Sequence, residues 1–438
     1  MAASAACWGR EDEMSRDLAA KAELVKLARA LNTEPDAVAF ADSLDATDLH
    51  QLREAISGSL YDEHRVVYQR IAAASKLLPA PMTAKIAEHA FPPLISARVA
   101  AELGAERAAD LAGRLPVGYL ADVCIGLDPR KVARIIERIP LDRATEVATE
   151  LVRRGEFITL GRLIDAATRE QLLGVAAEVD SDEALLWIGF YAESPRHLTE
   201  AIKALPDERI RRIVHTALDG PAEVHSAGLA LMSRVDDARL RRQLGDMAAE
   251  CAPSSLTALV HTAVDEGFLP EILTVFASMS EASQRSVMTL DVLAEQGVLV
   301  ALVRATAAAD LWDRLLPLVE YIDDDLRARL AALVTEYDDD VLHSVVAIAQ
   351  RDRRWSDLLP LIGSMTVSGR RRVARFVSEL RAPMLRDVVD SAQQYDLWSQ
   401  LFAVAEYLDA DAVGVVYEAL GEADQELLAG DLRAVREA

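Results

Sequence analysis

Tryptophan stands at Trp312, Trp355 and Trp398, two equal steps of 43 residues, and the residues after each keep one apolar register. Leu315, Leu316, Val319 and Ile322 follow the first, Leu358, Leu359, Ile362 and Met365 the second, and Leu401, Phe402, Ala405 and Leu408 the third. One step earlier, Leu269 heads Ile272, Leu273, Phe276 and Met279. Apolar residues at such offsets line one face of a helix. A short helix cannot bury that face alone, so equivalent helices must stack on one another. The unit length falls in the window of HEAT and armadillo repeats. The expected fold is all-α, an α-solenoid of short-helix repeats. Each unit is expected to hold three helices, such as Leu311 to Ile322, Leu326 to Tyr337 and Val341 to Gln350.

Upstream the register is looser. Leu120, Val123, Cys124 and Leu127 match Leu160, Leu163, Ile164 and Ala167, and then Leu198, Ala201, Ile202 and Leu205, at steps of 40 and 38 residues. Leucine or isoleucine followed by proline punctuates this stretch at Pro116, Pro140 and Pro206, and Asp128 precedes Pro129. Proline suits the first turn of a helix, so these mark helix starts. The expected organisation is a disordered stretch over 1 to 17, an N-terminal helical cap over 18 to 92, divergent repeats over 93 to 268, and regular repeats over 269 to 438. The last unit is expected to close on the polar Glu437 and Ala438. In the cap, Asp45, Thr47 and Asp48 are N-cap candidates, Gly58 is expected to end that helix, and Tyr61 to Leu77 reads as the next.

The segment Glu106-Arg-Ala-Ala-Asp-Leu-Ala-Gly-Arg-Leu-Pro116, with Tyr119-Leu-Ala-Asp-Val123 and Asp128-Pro-Arg-Lys-Val-Ala-Arg-Ile-Ile136, resembles the cytoplasmic N-terminal superhelix of MgtE-type magnesium transporters. The resemblance covers residues 102 to 220. It implies a superhelix of short helices and an acidic surface responsive to divalent cations. The transporter activity itself does not carry over, because no membrane span or βαββα pattern accompanies it.

The formal charge of −24 disfavours nucleic acid and anionic lipid as non-specific partners. No long apolar run reads as a membrane span, and Arg10 to Glu13 follow the start too closely for a secretory leader, so a cytoplasmic location is expected. Abundant alanine and arginine with little lysine reads as a high-GC bacterial composition. The three cysteines, Cys7, Cys124 and Cys251, form neither a disulfide framework nor a zinc motif, and Cys124 reads as a small buried hydrophobe.

Three constellations invite chemistry. Asp323 to Asp325 and Asp338 to Asp340 suggest a hard-cation site, but the acidic box of helical terpenoid synthases needs an aspartate three positions beyond a pair, and Leu326, Arg327, Val341 and Leu342 occupy those places. Their position at helix starts predicts N-capping instead. His215 and His261 share a repeat position with Arg304, Ala347 and Asp390, a mixture expected on a solvated ridge. Arg351, Arg353, Arg354, Arg370, Arg371, Arg372 and Arg375 cluster within one unit. Arginine offers bidentate donors to carboxylate and phosphate, so Arg304, Arg351, Arg353, Arg354, Arg370, Arg371 and Arg372 are the candidate partner-binding residues. No nucleophile elbow, phosphate loop or dinucleotide fingerprint is present, and no cofactor or metal is expected. The function expected is a non-enzymatic interaction scaffold or adaptor holding another protein through an acidic segment. The alternative is a module sensing a divalent cation or small acidic ligand, with an all-helical enzyme behind both.

Overall fold

A computed structural model describes residues 11–31 and 33–420, with the side chains of 11–18 left aside. Among them there are helices and no strands, packed mainly against sequential neighbours as in an α-solenoid. The chain divides into two compact units, Met1–Phe268 and Leu269–Ala438.

The first unit opens with α1 (Glu11–Ala30), a 3-10 turn (Pro35–Ala41) and α2 (Ala46–Asp62). Then come α3 (Arg65–Ser75), α4 (Ala80–Ala90), α5 (Pro93–Glu102), α6 (Ala105–Ala112), α7 (Val117–Ile125), α8 (Pro129–Ile136), α9 (Leu141–Arg153) and α10 (Phe157–Leu163). It ends with α11 (Arg169–Glu178), α12 (Asp182–Phe190), α13 (Pro195–Ala204), α14 (Asp207–Asp219), α15 (Ala222–Ser233), α16 (Ala238–Ala249) and α17 (Pro253–Asp265). Most helices from α3 onward pack on the next but one, α3 on α5, α5 on α7, α4 on α6 and α6 on α8, which is the stacking of short helical hairpins.

The expected end of α2 at Gly58 and the expected helix starts at Pro116, Pro140 and Pro206 are corrected by the structure. Residues 11 to 17 are helical, continuous with the apolar period of α1, while residues 1 to 10 and the Glu437–Ala438 closure lie outside the described residues. The next-but-one stacking begins at α3, inside the stretch 18 to 92 expected as an N-terminal cap. Helix α2 runs through Gly58 to Asp62, because that glycine faces open space and its helix has other residues to bury. The Leu-Pro prolines Pro116, Pro140 and Pro206 are N-caps one residue ahead of their helices, with φ near −57°, −55° and −62°; Pro129 does occupy the first helical turn.

The second unit contains α18 (Leu269–Ser278), α19 (Glu281–Met288), α20 (Gln296–Ala308), α21 (Trp312–Leu315), α22 (Asp324–Thr335) and α23 (Asp339–Arg351). It continues with α24 (Trp355–Gly363), α25 (Val367–Ser378), α26 (Ala382–Tyr395), α27 (Trp398–Ala405) and α28 (Ala410–Ala419). Helices headed by equivalent residues stack directly, α18 on α21 and α24 on α27. Trp312, Trp355, Leu316, Leu358, Leu359 and Ile362 are buried in one continuous core running from Phe276 to Leu420, and Trp398 is partly buried against it. The Trp355 indole N–H is buried without a partner. The position therefore calls for bulk, which Leu269 supplies one repeat earlier.

A backbone device recurs with the same period. Gly267, Asp310, Arg353 and Asp396 have φ of 74°, 51°, 54° and 55°, the left-handed region, each two residues ahead of Leu269, Trp312, Trp355 and Trp398. In each case the next amide donates five residues back: Phe268 to Ala263, Leu311 to Thr306, Arg354 to Ala349 and Leu397 to Ala392, at 2.7–2.9 Å. This is the Schellman closure of the preceding helix. Ala263, Thr306, Ala349 and Ala392 are fully buried, so each turn is pinned inside the stack. Gly155 with Glu156 repeats the device before α10.

A left-handed residue with a side chain costs about 1–2 kcal/mol, partly offset by the entropy glycine would lose. Arg353→Gly and Asp396→Gly are therefore expected to stabilise by up to about 1 kcal/mol each, and Gly267→Ala to destabilise by about 1 kcal/mol, in urea unfolding. Trp355→Phe is expected to cost far less than the about 3–5 kcal/mol of Trp355→Ala, since it keeps the bulk and removes the orphaned donor.

Candidate functional site

The arginines singled out from the sequence are largely committed within the fold. Arg372 donates to Asp339 Oδ1 at 2.8 Å and to the Thr335 and Tyr337 carbonyls at 2.7 and 2.6 Å, closing the C-terminus of α22. Arg375 joins it on Asp339, and hydrogen bonds from the two guanidinium groups hold that carboxyl below its usual range. Arg351 pairs with Asp352 at 2.8 Å and Arg354 with Asp357 at 3.1 Å. Arg370 donates to the Met365 carbonyl at 3.1 Å. Arg371 lies over the Tyr407 ring, 5.2 Å from its centroid. Arg353 occupies the left-handed turn position with its side chain exposed, and Arg304 is exposed on α20. The structure thus places Arg351, Arg353, Arg354, Arg370, Arg371 and Arg372 around the ends of α23 to α25, with Arg351, Arg353 and Arg371 the most exposed of the six.

The aspartate triplets start helices. Asp323 accepts from the Leu326 amide at 2.8 Å and Asp324 pairs with Arg327 at 2.7 Å. Asp338 is an N-cap by backbone conformation alone, and Asp339 serves the arginines of α25. Among the described residues no group of three acidic, histidine or cysteine side chains is placed to hold a metal ion. His261, Arg304, Ala347 and Asp390 are all exposed, as a solvated ridge requires. His215 differs, being half-buried 3.6 Å from the Cys251 sulfur. Cys124 packs against the core around α7 and α9, and burial pushes its thiol up to about 12.

Sequence spacing gave no sign of the densest polar cluster. Glu23, Lys26 and Arg53, on α1 and α2, are all buried. Arg53 Nε donates to Glu23 at 3.0 Å and its Nη2 to Glu193 at 2.9 Å, 140 residues away. Lys26 donates to Glu23 at 2.8 Å. Arg162 on α10 shares Glu193 at 3.3 Å, Arg29 pairs with Glu156, and Glu54 with Arg130 at 2.7 Å. The α1–α2 hairpin has its own small core, including Leu24, Leu27, Val38 and Leu49, and meets the stack through these ions and through Tyr61, whose ring packs by Tyr68 of α3. Burial alone would raise the Glu23 carboxyl, but Lys26 and Arg53 outweigh it and hold it low. For Lys26 burial wins, and its ammonium is held below the usual range despite Glu23. The cluster joins residues too distant in sequence for any periodicity to reveal.

No family model matches the chain, and no curated protein matches it. A solved engineered protein aligns with 86% of this chain and 96% of its own length at 15% identity, with a TM-score of 0.23, a likeness too slight to carry an argument.

Removing one member of a buried ion network costs about 3–5 kcal/mol, because the partner charge is left unpaired. Arg53→Met, which leaves Glu23 with Lys26 and Glu193 with Arg162 as their remaining cations, is expected to destabilise the first unit toward the lower end of that range in urea unfolding. Lys26→Met is expected to be near neutral, since Glu23 keeps Arg53 and a desolvated ammonium is removed. Glu23 is depressed in the folded state, so its contribution is complete above the unfolded carboxyl pKa of about 4.3 and is lost as pH falls through the folded value. Acid should therefore loosen the α1–α2 contact first, read as earlier proteolytic cleavage before α3 below about pH 4.

Proposed function

We propose that this chain is a non-enzymatic cytoplasmic scaffold or adaptor that holds a partner protein on its helical-repeat surface. The observation that carries the reading is the division of labour within each repeat. Ala263, Thr306, Ala349 and Ala392 are fully buried in stacking, while His261, Arg304, Ala347 and Asp390, two positions earlier on the same helices, are exposed and chemically unlike one another. A framework that spends its constant positions on stacking and leaves varied side chains outward is built to present a surface. Arg304, Arg351, Arg353, Arg354, Arg370, Arg371 and Arg372 form the docking patch in this reading, with an acidic segment as the partner. Arg351, Arg353 and Arg371 are the members to vary, since Arg372 also ties α22 to α25. No helix among the described residues is long and apolar enough to cross a membrane.

The test is a pull-down of the tagged chain from its native cell extract beside an Arg351→Glu, Arg353→Glu, Arg371→Glu variant. A stoichiometric partner captured by the parent and lost by a variant of equal melting temperature is the expected result. Equal capture by both, or none by the parent, removes the patch from consideration.

A further inference from the structure

Ten of the thirteen large hydrophobic side chains that are exposed among the described residues fall between Leu31 and Leu94. Six of them lie on α3, on α4 and on the link between them. On α3 the buried face carries Tyr68 and Ala72 against α5, and the opposite side carries Val66 and Val67, with Leu77 and Leu78 just beyond the helix end. On α4 the buried residues are Ala80, Thr83 and Ala84, and the exposed stripe is Met82, Lys85, Ile86 and His89, spaced as one helix face. Leu77 is 85% exposed and Met82 54%. In a helical stack each layer normally buries both sides, and a terminal layer needs a polar outer face. Here α5 and α6 cover one side of the α3–α4 layer, and the α1–α2 hairpin touches the buried face of α3 through Tyr61 and is tied by ion pairs to Arg130, Glu156 and Glu193, so that among the described residues Val66, Val67, Met82 and Ile86 stay exposed. The end of the stack is left bare and apolar.

Its charge is the reverse of the chain's. Between His64 and Ala100 stand Arg65, Arg70, Lys76, Lys85 and Arg98 against the single acid Glu88, in a protein of net −24. Arg65 is paired with Glu102 and Arg98 lies by the Tyr61 ring, but Arg70, Lys76 and Lys85 are exposed and make no ion pair among the described residues. Lys76 also borders a groove of about 520 Å³ lined with Arg107, Arg138 and one acid, Glu106. Screening limits each charge to about 8 Å at physiological salt, so an approaching surface senses these cations rather than the distant acidic helices.

We infer that the outer face of α3 and α4 is a docking site for an acidic amphipathic helix of a partner protein. The helix lays its leucine-type face on Val66, Val67, Leu77, Leu78, Met82 and Ile86, continuing the stack by one layer, and sets its carboxylates against Arg70, Lys76 and Lys85. A second copy presenting this same face would bring like charges together, and so fits less well. The inference rests on the scaffold reading and gives it a second surface, with a stated partner chemistry.

The test uses the full chain and an 18-residue synthetic helix of leucine and glutamate in amphipathic spacing, with fluorescence anisotropy as the readout. The expected result is saturable micromolar binding that weakens with added salt. It should fall at least tenfold in an Arg70→Glu, Lys76→Glu, Lys85→Glu variant and in Met82→Ser, Ile86→Ser, and be absent for the same helix with lysine in place of glutamate. Melting curves of the variants, all altered at exposed positions, should match the parent. No binding, or binding that the variants leave unchanged, overturns the inference. Flotation with phosphatidylserine vesicles that the charge variant abolishes would assign the face to a membrane surface instead. Concentration-dependent dimerisation abolished by Met82→Ser, Ile86→Ser would assign it to a second copy. A chain that captures a partner through Arg351, Arg353 and Arg371 while ignoring the peptide sinks this inference alone and leaves the scaffold reading standing.

Discussion

The second unit depends on one backbone hydrogen bond, the donation from the residue before each repeat-heading side chain to a buried carbonyl five residues back. That bond can form only if the intervening residue turns left-handed. Once it has, the chain leaves the third helix of one repeat in a fixed direction and drops Trp312 or Trp355 into the layer below. The bulky residue and the leucines after it then join the same core as the buried Ala349 and Ala392. Turn and burial are thus one unit of construction, and the period of the array is the distance between successive turns.

The first unit is held by a different balance. Its apolar residues gather into several smaller clusters, around Leu120 and Leu151, around Ile210 and Leu244, and inside the α1–α2 hairpin. Between hairpin and stack the attachment is largely ionic, with Arg53 reading two carboxylates at once and Tyr61 packed by Tyr68. Such contacts give geometric definition more than net stability, because desolvation consumes much of the Coulombic gain. The same ions fix where the hairpin lies, and the outer face of the α3–α4 layer stays uncovered.

The repeat was legible because its signal is local and periodic: a tryptophan and four apolar positions, three times over, and then the same pattern headed by Leu269. The helix class and the capping role of Asp323 followed from equally local rules. What stayed hidden was either conformational or distant. Asp310, Arg353 and Asp396 share no side-chain chemistry, and only their φ angles make them one position. Arg353 was singled out for its charge, although its backbone is what the repeat uses. Arg372 likewise drew notice as a surface cation, whereas it closes the end of α22. The Glu23, Arg53 and Glu193 cluster joins residues that no spacing rule connects, and the exposure of Met82 and Ile86 follows from where another element failed to pack.

The continuity of the core has a consequence for how the molecule comes apart. The buried side chains of the cluster that runs from Phe276 to Leu420 form one connected core across the repeats, so opening one repeat uncovers its neighbour and the loss spreads along the array. In the first unit the clusters are separated, and a local opening can stop at the edge of its own cluster. Amide exchange should accordingly divide the chain into one long cooperative block and a series of smaller foldons of graded protection, with the hairpin as the most independent of them.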